Sequence, residues 1–265
     1  MDTLLQGTPN TGAYHDDILI QGSNFQMCSE TVTLVLQRLN DQNVRIQPNK
    51  CRWFKRSVEC LGHVISEQGR APSPSHSGDA PVPINVKELR SFLGLINFYS
   101  NFLPSAITLL KPLRSLTGKS KPFVWSNECQ TAFTAAKQLL LSSSLLIHLD
   151  PAKKIVVHTD SLPVGVASVL NHEVSHMDNT VVGKPVLFAS CSLTQVQQKY
   201  SQLDREAFAI IFVVTKLRKY LWGRRFTLVT DNQPIRHIFS PEKIDPNSCL
   251  LSPTTLGGSF ICIFL

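Results

Sequence analysis

Two placements of carboxylates in this sequence could do chemistry. In TGAYHDDILIQG, from Thr11 to Gly22, Asp16 and Asp17 stand side by side between an aromatic residue and an apolar run. Adjacent carboxylates repel each other. The pair therefore reads either as a hairpin turn, where Asp bonds nearby backbone amides, or as a metal site. Further along, two apolar runs end alike in Thr-Asp, VVHTD at Asp160 and TLVTD at Asp231. Between them, SQLDREAFAIIFVVTKLRKYLWG has helical spacing, with Leu203, Ala207, Ile210, Val214, Leu217 and Leu221 on one stripe. Glu206 borders that stripe on one side and Asp204 on the other. If the two strands lie parallel and adjacent, joined through this helix, Asp160 and Asp231 emerge at the same sheet edge, where sites form in α/β sheets. At ~100° per residue Glu206 lies about 60° from the stripe's centre and can point toward the sheet. Asp204 is placed equivalently, so spacing leaves the choice open. Three converging carboxylates without a basic partner suit a hard divalent cation such as Mg²⁺, and two such ions can support phosphodiester cleavage. The same residues also read as strand-terminal turn residues and a solvated helix residue.

The elements that must position these groups fall into two patterns. Apolar residues flank the Asp16–Asp17 pair as in strand–turn–strand, and ETVTLVLQRLNDQNVRIQP predicts a helix ended before Pro48. VECLGHVI reads as one short strand. The stretch SEQGRAPSPSHSGDAPVP, dense in Pro, Ser and Gly, reads as a joint, and residues Arg70 to Pro83 are expected to be poorly ordered. NVKELRSFLGLINFYSNFLP predicts a helix with Asn85 as N-cap and Glu88 three residues on. A further joint, TGKSKPFVWS, leads to the helix NECQTAFTAAKQLLLSS. The second pattern is three strands (KKIVVHTD, GVASVL, PVLFAS), the long helix and the strand RRFTLVTD, which together make an α/β domain. The tail PNSCLLSPTTLGGSFICIFL shows neither helical nor strand periodicity.

Composition narrows the class. The chain has 265 residues, 43% hydrophobic and 17% charged, with net charge +7 and pI ≈ 9.1. That is room for one or two domains with real cores, and the basic balance favours an anionic partner such as nucleic acid. The seven Cys form no C-x-x-C pair, so they read as reduced thiols. No apolar run is long enough to span a bilayer and no secretory signal is visible, which leads us to expect a cytoplasmic or nuclear protein with no membrane partner. HEVSH, His172 to His176, matches the zinc-protease H-E-x-x-H but falls between predicted strands, where a surface loop is expected instead of the required helix. TGKS at 117–120 lacks the P-loop's first Gly, since Leu113 stands there. The basic residues Lys216, Arg218, Lys219, Arg224 and Arg225 read as a solvated helix end or as phosphate contacts.

Taken together, YHDD, CLGHVISEQG, VKELRSFLGLINFYSNFLP, HTDSLPVGVASVL, PVLFASCSLT, YSQLDREAFAI and RRFTLVTDNQPI resemble, in order, blocks of the pol polyprotein of gypsy-type LTR retrotransposons. The resemblance covers about residues 1 to 242. It implies a truncated reverse transcriptase palm over 1–70, a thumb/connection segment over 71–122, a truncated ribonuclease H-like domain over 123–245 and an unrelated, disordered tail over 246–265. The implied fold is α/β, a ribonuclease H-like mixed sheet with flanking helices preceded by an α+β palm and thumb remnant. The implied reaction is Mg²⁺-dependent hydrolysis of RNA in RNA–DNA hybrids, with Mn²⁺ as a substitute. Asp160, Glu206 and Asp231 would be catalytic and metal-binding, and the resemblance, not the helical wheel, selects Glu206 over Asp204. Asp16 and Asp17 would be the metal-binding pair of a polymerase remnant.

The sequence also departs from the family pattern. Only Asp2 precedes Asp16 among acidic residues, so no upstream third carboxylate is present. Ser161 and Leu162 stand where the family motif T-D-A-S has Ala and Ser, and Asn232 stands where it has His. The block carrying a fourth acidic ligand has no counterpart. Polymerisation is therefore not expected and ribonuclease activity is expected to be weak or lost. The alternative is a non-enzymatic nucleic-acid- or protein-binding module derived from a decayed retroelement.

Overall fold

The computed structural model describes residues 3–74, 80–104, 106–118, 122–142, 145–175, 181–232, 234–235 and 260–263. The chain divides into two compact units, Met1–Glu67 and Gln68–Leu265.

The first unit is two hairpins and a helix. Strands β1 (Thr11–Tyr14) and β2 (Asp17–Ile20) pair antiparallel, with Tyr14 opposite Asp17, so His15 and Asp16 form the loop. Helix α1 (Phe25–Asp41) starts where the Met27 amide donates to Asn24 Oδ1 at 2.8 Å, well upstream of the predicted start. Its Val35 and Leu39 pack with Leu5 as a small core. The segment expected as one strand is a hairpin, β3 (Ser57–Cys60) and β4 (His63–Ser66). Leu61 (φ 50°) and Gly62 (φ 77°) turn the chain between them. Both central residues of such a two-residue loop need φ > 0, and Leu disguises the turn because it rarely adopts that conformation.

The second unit opens with strand β5 (Gly69–Pro72). Arg70 exchanges both backbone hydrogen bonds with Leu146, at 2.8 and 3.0 Å. Residues 70–72 of the expected loose joint are thus in regular structure, while 75–79 lie outside the described residues. Helix α2 (Val86–Phe98) starts at the predicted N-cap, Asn85, but Glu88 reaches one residue further back than in a capping box. The Glu88 amide donates to Asn85 Oδ1 at 2.9 Å, and Glu88 Oε2 accepts from the Ile84 amide at 3.0 Å. Helices α3 (Ala106–Ser115) and α4 (Asn127–Leu141) follow, and Phe92 of α2 meets Phe133 of α4 with ring centroids 4.6 Å apart.

The sheet that carries the site is five-stranded, in the order β10-β9-β6-β7-β8. Strands β6 (Ile155–Leu162), β7 (Gly165–Ser175) and β8 (Val181–Ser192) form an antiparallel meander. The chain then passes through α5 (Gln202–Lys216) and the single turn α6 (Arg218–Leu221) into β9 (Phe226–Val229), which lies parallel to β6. This is a mixed α/β sheet with flanking helices, as the sequence predicts. Of the tail expected to lack structure, only residues 260–263 are described, as strand β10 (Phe260–Ile263), which runs parallel along the outer edge of β9. An open strand edge is a ready template for such pairing. Ile155 and Val157 of β6, Leu170 of β7, Ile210 and Val213 of α5 and Leu228 of β9 belong to one core that extends to α2, α3 and α4.

One glycine is held by geometry. Gly69 has φ +145°, and a Cβ there would collide with the Leu146 carbonyl. That conformation is nearly closed to other residues, at a cost of order 1–3 kcal/mol. Gly69→Ala is therefore expected to lower stability by about 2 kcal/mol or more. Chemical denaturation monitored by tryptophan fluorescence checks this, and unchanged stability would count against the β5–Leu146 pairing.

Candidate metal centre

The site begins with a register. His158 of β6 pairs with Val229 of β9. Asp160 lies two residues further along β6, and Asp231 two residues past the end of β9, so the alternation of side chains brings both out at the same place. Both are exposed. Ser161, the next residue of β6, points to the opposite face and is buried with Thr159 and Val157.

Helix α5 supplies the third carboxylate, and its buried face is not quite the one its apolar residues suggest. Leu203 is exposed, while Glu206, Ala209, Ile210, Val213 and Val214 are buried. Glu206 therefore sits within the packed face, not at its border, with only 1% of its surface exposed. Asp204 has a different task. Its amide donates to Ser201 Oγ at 3.2 Å and its Oδ2 accepts from that hydroxyl at 2.7 Å, closing the helix N-terminus as a cap. The two carboxylates that spacing left equivalent are separated by capping chemistry.

One carboxylate oxygen from each of Asp160, Glu206 and Asp231 lies within 4.8 Å of the others, and among the described residues this is the one group of three or more His, Cys, Asp or Glu side chains so arranged. Asp16 and Asp17 have no third such partner among the described residues. Glu206 Oε1 accepts from Ser161 Oγ at 2.7 Å and from Gln202 Nε2 at 2.8 Å. Glu206 Oε2 is buried with no hydrogen-bond partner. Two unit charges about 5 Å apart at an effective dielectric of ~20 repel by roughly 3 kcal/mol. Burial and this repulsion act together. Desolvation first, and then the charges of Asp231 and Asp160, push the Glu206 carboxyl above its ordinary range, against the lowering effect of the Ser161 and Gln202 hydrogen bonds. An all-oxygen donor set with one buried, unsatisfied carboxylate oxygen fits a hard divalent cation.

A groove of about 390 Å³ opens beside Asp160 and Asp231, lined among others by His158, Phe188, Leu103 and Pro104. Burial lowers the His158 pKa, favouring its neutral ring. Asn232 ties down the turn after β9, its Oδ1 accepting from the Ile235 amide at 3.2 Å. His172 of the H-E-x-x-H stretch is in strand β7, not a surface loop. It is fully buried and its Nε2 accepts from the Asp150 amide at 2.9 Å. His176 lies outside the described residues. Arg218, from the basic run, stacks 4.5 Å over the Trp222 ring. The Ser161 and Gln202 contacts and the groove have no signature in the spacing of the sequence, because they depend on where α5 settles against β6.

Fold and site together define a ribonuclease H-like α/β domain with a cluster of acidic side chains. Residues 125–228 match the family described as the RNase H-like domain found in reverse transcriptase. The chain is 31% identical over 227 residues to the retrovirus-related Pol polyprotein from transposon 297 of Drosophila melanogaster, covering 84% of this chain and 21% of that protein. It is 34% identical over 225 residues to the transposon Tf2-3 polyprotein of Schizosaccharomyces pombe, covering 83% of this chain and 17% of that protein. The chain thus spans about a fifth of the length of these relatives. The foamy viral protease-reverse transcriptase, solved in complex with RNA/DNA hybrid, shares the fold with a TM-score of 0.79 at 21% identity, over 99% of this chain and 36% of that one. The same protein solved with dsDNA superimposes equally, over 56% of its chain. The chain carries an RNase H-like domain of the kind found in reverse transcriptase, and its relatives are retrotransposon Pol polyproteins. Among the described residues no helix is long and apolar enough to cross a membrane.

The raised Glu206 pKa gives a test without added metal. In the pH interval between the ordinary carboxylate value and the raised one, the folded chain keeps a proton that the unfolded chain has lost. This contribution favours folding most at low pH and fades as pH rises through that interval. Glu206→Gln removes the buried charge and keeps an acceptor for Ser161 and Gln202. In chelator-treated protein it is expected to be more stable than wild type at pH 8, by about 1–3 kcal/mol, and close to wild type at pH 4. Thermal melts at the two pH values measure this difference, and a destabilised Glu206→Gln at pH 8 would contradict the buried-charge description.

Proposed function

We propose that the RNase H-like domain hydrolyses the RNA strand of RNA–DNA hybrids, using Mg²⁺ or Mn²⁺ held by Asp160, Glu206 and Asp231. The observation that carries this reading is the meeting of one oxygen from each of three carboxylates within 4.8 Å, with one of them, Glu206, buried and its Oε2 without a hydrogen-bond partner. The family match and the hybrid bound in the foamy viral enzyme support it. When bound, divalent cations activate water and stabilise the departing oxygen in phosphodiester cleavage.

The chain's own residues have separate parts in this reaction. Asp160 and Asp231 are exposed, so they are the groups a phosphodiester backbone can approach. Their charges alone would repel that backbone, which makes a cation a condition of binding at the trio. Glu206 anchors the third side from inside the domain, where water does not compete for it. The net charge of +7 draws polyanionic substrate to the molecule in a salt-dependent way. The Asp16–Asp17 pair lacks a third carboxylate among the described residues, so we assign no polymerase activity to it.

A labelled RNA–DNA hybrid tests the proposal. Cleavage is expected to be slow, to need millimolar Mg²⁺ or Mn²⁺, and to vanish in Asp160→Asn. Primer extension is expected to give no product at any Mg²⁺ concentration. Hybrid binding without cleavage would favour a non-enzymatic binding module, and cleavage that survives Asp160→Asn would place the chemistry elsewhere.

A further inference from the structure

We infer that Ser161 is a positioning residue which, with Gln202, fixes Glu206 as a one-oxygen ligand and so sets which divalent cations the trio accepts. This rests on the reading of the trio as a cation centre. The two oxygens of Glu206 are in opposite situations. Oε1 accepts from Ser161 Oγ at 2.7 Å and from Gln202 Nε2 at 2.8 Å, while Oε2 is buried without a partner. A carboxylate held by two donors on one oxygen cannot rotate about its last bond without breaking both. Ser161 is itself 5% exposed, so water is a poor substitute for its hydroxyl. Gln202 is held in turn, since its Oε1 accepts from Arg205. The carboxylate plane is thus set from the strand by Ser161 and from the helix by Gln202.

Selectivity follows from coordination chemistry. Mg²⁺ and Mn²⁺ accept six oxygens in compact octahedral sites, which a monodentate carboxylate serves well. Ca²⁺ takes six to eight oxygens and often uses carboxylates bidentately. With Oε1 occupied by two donors, Glu206 cannot offer both oxygens to one ion, so the clamp disfavours Ca²⁺. Loss of a donor frees Oε1 and loosens Oε2 at once. Mn²⁺ binding weakens, and Ca²⁺ binding changes less or improves.

Binding of the metal alone to the full chain tests this. Free Mn²⁺ is followed by electron paramagnetic resonance, with Ca²⁺ added as competitor, in wild type, Ser161→Ala, Gln202→Ala and Asp160→Asn. Ser161→Ala is expected to weaken Mn²⁺ binding by roughly tenfold, the scale of lost outer-shell support, and to shift the Ca²⁺/Mn²⁺ preference toward Ca²⁺. Gln202→Ala, at an exposed position where folding is not at stake, is expected to shift both quantities in the same direction. Circular dichroism checks that each variant keeps its fold. If wild type binds Mn²⁺ and loses it in Asp160→Asn, while both donor variants keep wild-type affinity and preference, the positioning role is overturned and the cation centre stands. If wild type shows no site sensitive to Asp160→Asn, the cation centre itself is overturned and the clamp with it.

Discussion

A glutamate with 1% of its surface exposed has two further carboxylates within 4.8 Å. Burial and like charge both oppose its ionisation, and two hydrogen bonds on a single oxygen only partly offset them. The fold holds this unfavourable arrangement in place, since sites of strained electrostatics persist only where surrounding packing over-determines them. A divalent cation would remove the conflict by satisfying Glu206 Oε2 and screening Asp160 from Asp231. The proposed chemistry and the predicted gain in stability of Glu206→Gln have this one cause.

The packing that over-determines the site can be traced residue by residue. The parallel pairing of β6 with β9 aligns His158 with Val229 and brings Asp160 and Asp231 out at the same place. A one-residue slip would send one of them to the opposite face. Ile155 and Val157 on β6 and Phe226 and Leu228 on β9 belong to the same core as Ile210 and Val213 of α5, so register and helix position are fixed together. Ser201 and Asp204 cap that helix and set where its first turn begins, and Glu206 follows at once. Ser161, on the buried side of the strand that presents Asp160, then reaches Glu206 from below.

Much of this was legible in the sequence where one local rule dominates. The apolar runs of VVHTD and TLVTD mark two strands, although β6 continues past Asp160 to Leu162 and β9 stops at Val229, two residues before Asp231. Asn85 marks a helix start that the structure reproduces, its side chain accepting from the Glu88 amide. Glu206 was harder. Leu203 drew the apolar stripe toward a face that is exposed, and only the family resemblance separated Glu206 from Asp204. The physical discriminator, the Ser201–Asp204 cap, requires knowing the helix start to the residue. The hairpin at 57–66 was hidden because its turn uses Leu61 at φ 50° where Asn or Gly is the usual signal. The strand at Phe260–Ile263 has no local signature, since its partner is the free edge of β9. Ser161 entered the sequence reading only as a departure from a family motif, and its bond to Glu206 spans 45 residues of chain.

The trio's role as a cation centre is most directly tested by diffraction from crystals grown with Mn²⁺, using the anomalous signal of the ion to locate it. One or two peaks bounded by Asp160, Glu206 and Asp231, with Glu206 contributing Oε2, is the expected result. A trio without anomalous density at saturating Mn²⁺, or Mn²⁺ bound only elsewhere on the chain, would contradict it.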